Sequence, residues 1–124
     1  MQGIGVAMLK FNGRKVYLAC GNTDMRKSIN GLSAIVEAGF KLNPFNDALF
    51  VFCNRSRDRI KILEWDRDGF WVYFKRLEKG RFRWPSDDKN KTMILTGEEL
   101  NLLLGGPRVV QKLKRQEVKI GAVI

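Results

Sequence analysis

The chain has no histidine. That removes the commonest general base and the commonest metal ligand. Cysteine is scarce as well. Cys20 and Cys53 are the whole complement, too few for a thiolate zinc site and without the spacing of a disulfide framework. Each ends an apolar run, as a small core residue in a reducing cytosol would; a bridge between them stays open on sequence grounds. No apolar stretch reaches the roughly 20 residues of a membrane-spanning helix. The N-terminal MQGIGVAMLKFNGRK lacks the apolar centre of a signal peptide. Acidic residues are few, 13 against 23 lysines and arginines, so the net charge is +10.

That excess fits a polyanionic partner, most simply nucleic acid, although a basic protein without one has the same composition. The 124 residues suit one domain. Such a domain buries roughly two-thirds of its unfolded surface and needs no metal or disulfide to hold it. Residues 1–14 read as a flexible leader, 15–106 as the domain and 107–124 as a basic tail. No internal repeat or linker interrupts it.

Residues 15–20, KVYLAC, alternate as a strand does. Thr23 is an N-cap candidate and Asp24 a first-turn anion for a helix. Met25, Ile29, Leu32 and Val36 form its apolar stripe, with Arg26, Asn30, Ser33 and Glu37 opposite. Gly31 lies inside this helix, where a close packing neighbour is the usual reason for glycine. LFVFC at 49–53 is a fully apolar strand. Thr96 and Glu99 spell a capping box for a short helix carrying Leu100, Leu102, Leu103 and Leu104, which Gly105-Gly106-Pro107 stops. The expected fold is α+β: an antiparallel meander of about five strands, one longer helix in the N-terminal half and a short C-terminal helix.

Between 59 and 85 the chain mixes aromatics with arginine and lysine almost residue by residue. Two turns, Arg67-Asp68-Gly69 and Glu78-Lys79-Gly80, end in glycine. Three-residue hairpin loops often place a left-handed residue there. Taken so, Asp66 faces Phe70 and Leu77 faces Arg81, which assigns each side chain to a face. Ile60, Ile62, Phe70, Val72, Phe74, Phe82 and Trp84 fall on a core face. Arg59, Lys61, Lys75, Arg81 and Arg83 fall on the other, among Leu63, Trp65, Trp71, Tyr73 and Leu77. Lys61, Lys75 and Arg83 would share one row, and like charges directly opposite destabilise a sheet. The row therefore suggests an absent anion. Phosphates would meet the cations, and Trp71 and Tyr73 could stack on unpaired bases or bury against a protein. Equally, the aromatics could lie under the first helix with the basic side chains snorkelling past them.

Catalysis is not expected. The carboxylates show no converging pattern for metal ions. Asp66-Arg67-Asp68-Gly69 has only the beginning of a calcium loop. GIG at 3–5 follows no strand, so a dinucleotide loop is a poor reading. No metal or cofactor is implied, and no small-molecule substrate.

The order GNTDMRKSINGL, LFVFCNRSRDRIKILEWDRDGF, KRLEKGRFRWP resembles the small accessory protein TnpB, from the second open reading frame of bacterial transposons of the insertion sequence 66 type. The likeness spans about residues 15–106. It rests on DMRK at 24–27, Gly31-Leu32, the run from Trp65 to Phe70 and the KRLEKG block together. It implies a cytoplasmic bacterial protein serving DNA transposition beside a separate transposase, and brings no catalytic residues. Two roles follow. One is a DNA-binding factor at transposon ends, through Arg59, Lys61, Lys75, Arg81, Arg83, Trp71 and Tyr73. The other is a subunit docking on the transposase, through Asp24, Arg26, Lys27 and Asn30, without touching DNA.

Overall fold

A computed structural model describes residues 14–86 and 90–105. Its centre is β2, Ala48–Cys53, every residue of which is buried. A strand without polar alternation has to be covered on both sides. Leu49, Val51 and Cys53 enter one core cluster, and Ala48, Phe50 and Phe52 enter a second.

With β1 (Lys15–Ala19), β3 (Arg59–Asp66), β4 (Gly69–Arg76) and β5 (Thr92–Leu95), it forms a five-stranded sheet in the order β4-β3-β2-β1-β5. The meander is β2-β3-β4. β1 instead joins β2 in parallel, with Val16 beside Leu49. Parallel neighbours need a crossover, and it carries α1: helical turns Ile29–Ala34 that widen into π-helical turns Ile35–Gly39. Leu32 and Val36 of α1 are buried over one face of the sheet, here the α1 face. α2 (Gly97–Leu104) covers the other with Leu100 and Leu104, the α2 face. Its capping box is present: Glu99 N–H donates to Thr96 Oγ1 at 3.0 Å, and Thr96 N–H to Glu99 Oε1 at 2.8 Å.

α1 begins later than expected. Asp24 Oδ1 accepts the Arg26 N–H at 2.9 Å, a local turn competing with helix. Regular turns start at Ile29, where Leu32 N–H reaches Ser28 O. Met25 is consequently half-buried and Ile29 exposed, while Arg26 and Asn30 are exposed as the stripe requires. The close neighbour of Gly31 is Lys27: a Cβ at position 31 would stand 3.0 Å from the Lys27 Cβ.

Two expectations about the hairpins need correction. Asp66 pairs with Gly69, not Phe70, so the loop is Arg67-Asp68 alone. Arg67 takes the left-handed conformation, φ 53°, in place of the glycine. This one-residue slip turns every β4 side chain to the opposite face. Phe70, Val72, Phe74 and Arg76 join Arg59, Lys61, Leu63 and Trp65 on the α1 face. Trp71, Tyr73 and Lys75 join Ile60, Ile62 and Glu64 on the α2 face.

Residues 81–84 form no strand. Gly80 is left-handed, φ 79°, but the chain then crosses the end of the sheet. Phe82 N–H donates to Arg57 O, and Gly21 N–H to Pro85 O. Buried Phe82 and half-buried Trp84, whose Nε1 donates to Ala19 O at 2.9 Å, pack in the α2-face core. The fifth strand is Thr92–Leu95, which leaves β4 as an edge. Of the presumed leader, Arg14 is described, and its guanidinium pairs with Glu64 at 2.7 Å. The tail 107–124 lies outside the described residues.

Candidate nucleic-acid interface

β3 is launched by Asn54, a buried polar residue at the end of β2. Its Oδ1 accepts the N–H groups of Asp58 and Arg59, each at 3.0 Å, and its Nδ2 donates to Asp58 Oδ1 at 2.7 Å. This closed loop fixes where Arg59 stands. On the opposite bank, Thr23 N–H donates to Cys53 O at 2.7 Å and ties the 24–27 turn to the same strand end. The Lys61 ammonium donates to Lys27 O at 2.8 Å and draws the turn against β3.

The result is an open groove of about 640 Å³ on the α1 face, lined by Asp24, Met25, Arg26, Ser28, Arg59, Lys61, Val72 and Phe74. Its apolar surface is Met25, Val72 and the Phe74 ring, which is 55% exposed. Phe74 lies directly opposite Lys61, whose ammonium is 6.0 Å from the ring centroid. That distance suits a cation–π contact. Arg59 lies directly opposite Arg76. Arg76 leans on Glu78, 2.9 Å away, whereas Arg59 has no carboxylate in ion-pair range among the described residues. Two arginines facing across a ladder oppose folding by a few tenths to about 1 kcal/mol.

Asp24 is the groove's one acid. Both its oxygens engage Arg26, with Nη2–Oδ2 at 2.6 Å. Those hydrogen bonds from Arg26, first from the side chain and then from the backbone, hold its carboxyl at about 2 against an ordinary 3.8. The pair is internally neutral, so Arg59 and Lys61 leave the groove positive.

The chain matches the model of the IS66 Orf2 like protein family over residues 14–114. It belongs to that family. Membership makes it a transposition-associated accessory protein. Among its relatives is the uncharacterized protein y4hO of Sinorhizobium fredii, 38% identical over 92 residues, which covers 74% of this chain and 79% of the relative. The uncharacterized protein y4jC of the same organism is 31% identical over 111 residues, 87% of this chain and 94% of the relative. No solved structure matches.

In this IS66 Orf2-like chain the expected basic row does not form. Arg59 and Lys61 are together on the α1 face. Lys75 is on the α2 face, where its ammonium donates to Leu104 O at the C-terminal end of α2, a favourable place for a cation. Arg81 and Arg83 are exposed on either side of buried Phe82, off the sheet. Trp71 and Tyr73 stack on each other at 6.3 Å beside acids instead of bases. Trp71 Nε1 donates to Asp66 Oδ2 at 3.0 Å and Tyr73 Oη to Glu64 Oε1 at 2.6 Å. Burial, with Glu64 second, pushes the Tyr73 hydroxyl far above its usual value. Conversely, Asp24 and Arg26, expected on a docking surface distinct from the basic row, line the same groove as Arg59 and Lys61; Lys27 adjoins it, and Asn30 is exposed on α1. Phe74 and Arg76 were missed, because the longer loop sent Phe74 to the core. No group of residues able to hold a metal ion occurs among the described residues, and no helix there is long and apolar enough to cross a membrane.

Proposed function

We propose that this protein is a non-catalytic accessory factor of DNA transposition that acts in the cytoplasm and contacts DNA at its element's ends. The contact runs through the groove cations, chiefly Arg59 and Lys61, with Arg76 beside them. The Arg59–Arg76 opposition carries this reading. Glu78 already pairs with Arg76, so it is Arg59 that an anion from outside relieves, and phosphodiesters are the polyanion that transposition supplies. The net charge of +10 acts in the same direction at longer range. Binding of this kind positions a protein on DNA and carries little sequence information.

The test is a salt series with the full chain and labelled transposon-end DNA. Removing one cation that meets a phosphate lowers the slope of log affinity against log salt by about one. Arg59→Gln with Lys61→Gln should therefore lower it by about two. An unchanged slope removes the groove as the DNA-binding surface.

A second reading, docking on the transposase, draws on a different place. Phe45 is 53% exposed and packs edge-on to Trp65 at 5.0 Å and against Phe70 at 5.4 Å. This aromatic group sits at the other end of the α1 face, away from the cations. Phe45→Ala that loses co-purification with the cognate transposase while keeping DNA affinity would favour it.

A further inference from the structure

The groove contains more than a phosphate needs. Two cations on a flat strand would serve a duplex backbone. Here they border an apolar surface and an outward-facing phenyl ring. We infer that the groove takes an unpaired DNA strand, with one base stacked on Phe74 and neighbouring phosphates on Arg59 and Lys61. This rests on the DNA-contact reading above and adds which form of DNA is bound.

A duplex presents a ridge of phosphates and keeps the flat faces of its bases within the stack. It has no free base face to lay on an exposed ring bordered by cations. An unpaired base has a free π-face, and stacking on an aromatic side chain tolerates any base. Arg59 and Lys61 point the same way from one strand, two residues or about 6.6 Å apart. They can serve neighbouring positions along one backbone, with Phe74 opposite Lys61 on the adjoining strand.

Asp24 sets the orientation. Its carboxylate accepts N–H groups, and Arg26 balances its charge, so the cation excess lies on the Arg59–Lys61 bank. The pairing with Arg26 keeps the carboxylate ionised and in place. The Watson–Crick edge of an unpaired base exposes N–H donors that a duplex conceals. The backbone thus belongs on the Arg59–Lys61 bank and the base edge on the Asp24 bank, with the ring on Phe74 between them. An acidic peptide would satisfy the cations but would leave the Phe74 face unused.

The experiment is fluorescence anisotropy of the full chain with one labelled oligonucleotide, first alone and then annealed to its complement. The single strand should bind more tightly than the duplex. Phe74→Ala should weaken single-strand binding roughly 5- to 150-fold, the range for one stacked base, and leave the duplex unchanged. Phe74→Leu, which keeps apolar bulk without a π-face, should behave like Phe74→Ala, while Phe74→Tyr should restore binding. Melting temperatures near the parent's establish that each variant folds. Equal affinity for both forms, Phe74→Ala with parental single-strand affinity, or displacement of the strand by an equimolar polyglutamate peptide would overturn the inference. The first two of these leave DNA contact standing. Failure of both DNA forms to bind overturns both readings.

Discussion

The two sides of the β3–β4 hairpin carry comparable numbers of polar groups and treat them in opposite ways. On the α2 face the charges close on one another. Arg14 pairs with Glu64, Tyr73 donates to the same carboxylate, Trp71 is held by Asp66, and Lys75 caps α2. On the α1 face Arg76 is held by Glu78, but Arg59 opposite it has no acid in ion-pair range among the described residues, and Lys61 has a backbone carbonyl and a ring for company. A polar group that the chain satisfies internally supports the fold. One left with excess charge on a formed surface is available to something else. Composition counts both kinds alike, so a net charge of +10 cannot say which cations belong to which.

The largest effect should come from breaking the closed side. Glu64 is 8% exposed, and its loss leaves the half-buried Arg14 guanidinium only the exposed Asp47, 2.9 Å from its Nε. Glu64→Ala should cost about 1.5–3 kcal/mol, as losing buried hydrogen bonds to a charged group does, read by urea or thermal unfolding. Its DNA affinity, measured below the melting temperature, should stay near the parent's. A small loss of stability would mean that the two faces are not so differently organised.

Next comes the open side. Arg59→Gln should lower DNA affinity while raising stability by a few tenths of a kcal/mol, because it removes the like-charge opposition. Opposite signs in binding and in melting temperature are what a functional cation gives. A fall in both would make Arg59 structural.

Much of the scaffold was legible in the sequence. The capping box at Thr96, the apolar strand at the centre and the buried pair Leu32 and Val36 all follow from local chemistry. The faces of β4 were not legible. Both sides of this sheet are packed under helices, so neither side of the hairpin reads as simply polar, and alternation cannot choose between registers one residue apart. The absence of a strand at 81–84 has a similar cause: Phe82 and Trp84 alternate like strand residues but bury themselves at the sheet's end. The groove required residues from two regions, 24–28 and 59–74, which no spacing along the chain connects.

A smaller effect concerns pH. Asp24 has its carboxyl depressed to about 2 by Arg26, so the pairing contributes in full above the ordinary 3.8 and disappears as pH falls through about 2. With no histidine to titrate, DNA affinity should be flat from about pH 5 to pH 8. A carboxyl titration followed by NMR should place the Asp24 midpoint well below that of a free aspartate. Asp24→Asn should remove that low-pH transition while preserving the flat region. A midpoint near that of a free aspartate would mean that the Asp24–Arg26 pair does not persist in solution, and with it the fixed acid of the groove.

The smallest effect sits at the turn that decides the faces. Arg67 is left-handed, φ 53°, in a two-residue loop, a conformation that costs an L-residue about 1–2 kcal/mol more than glycine. Its approach to Asp66, 3.7 Å and exposed, offsets little of that. Glycine in turn gives up about 0.5–1 kcal/mol through a freer unfolded chain. Arg67→Gly should therefore stabilise the protein by a few tenths to about 1 kcal/mol, a shift of a few degrees in melting temperature. DNA binding should be unaffected, since Arg67 is at the far end of the hairpin from Arg59 and Arg76. The three-residue loop would put Gly69, not Arg67, in the left-handed position, and Arg67→Gly would then destabilise. The sign of this one change thus reports whether Phe74 shares a face with Lys61 in solution.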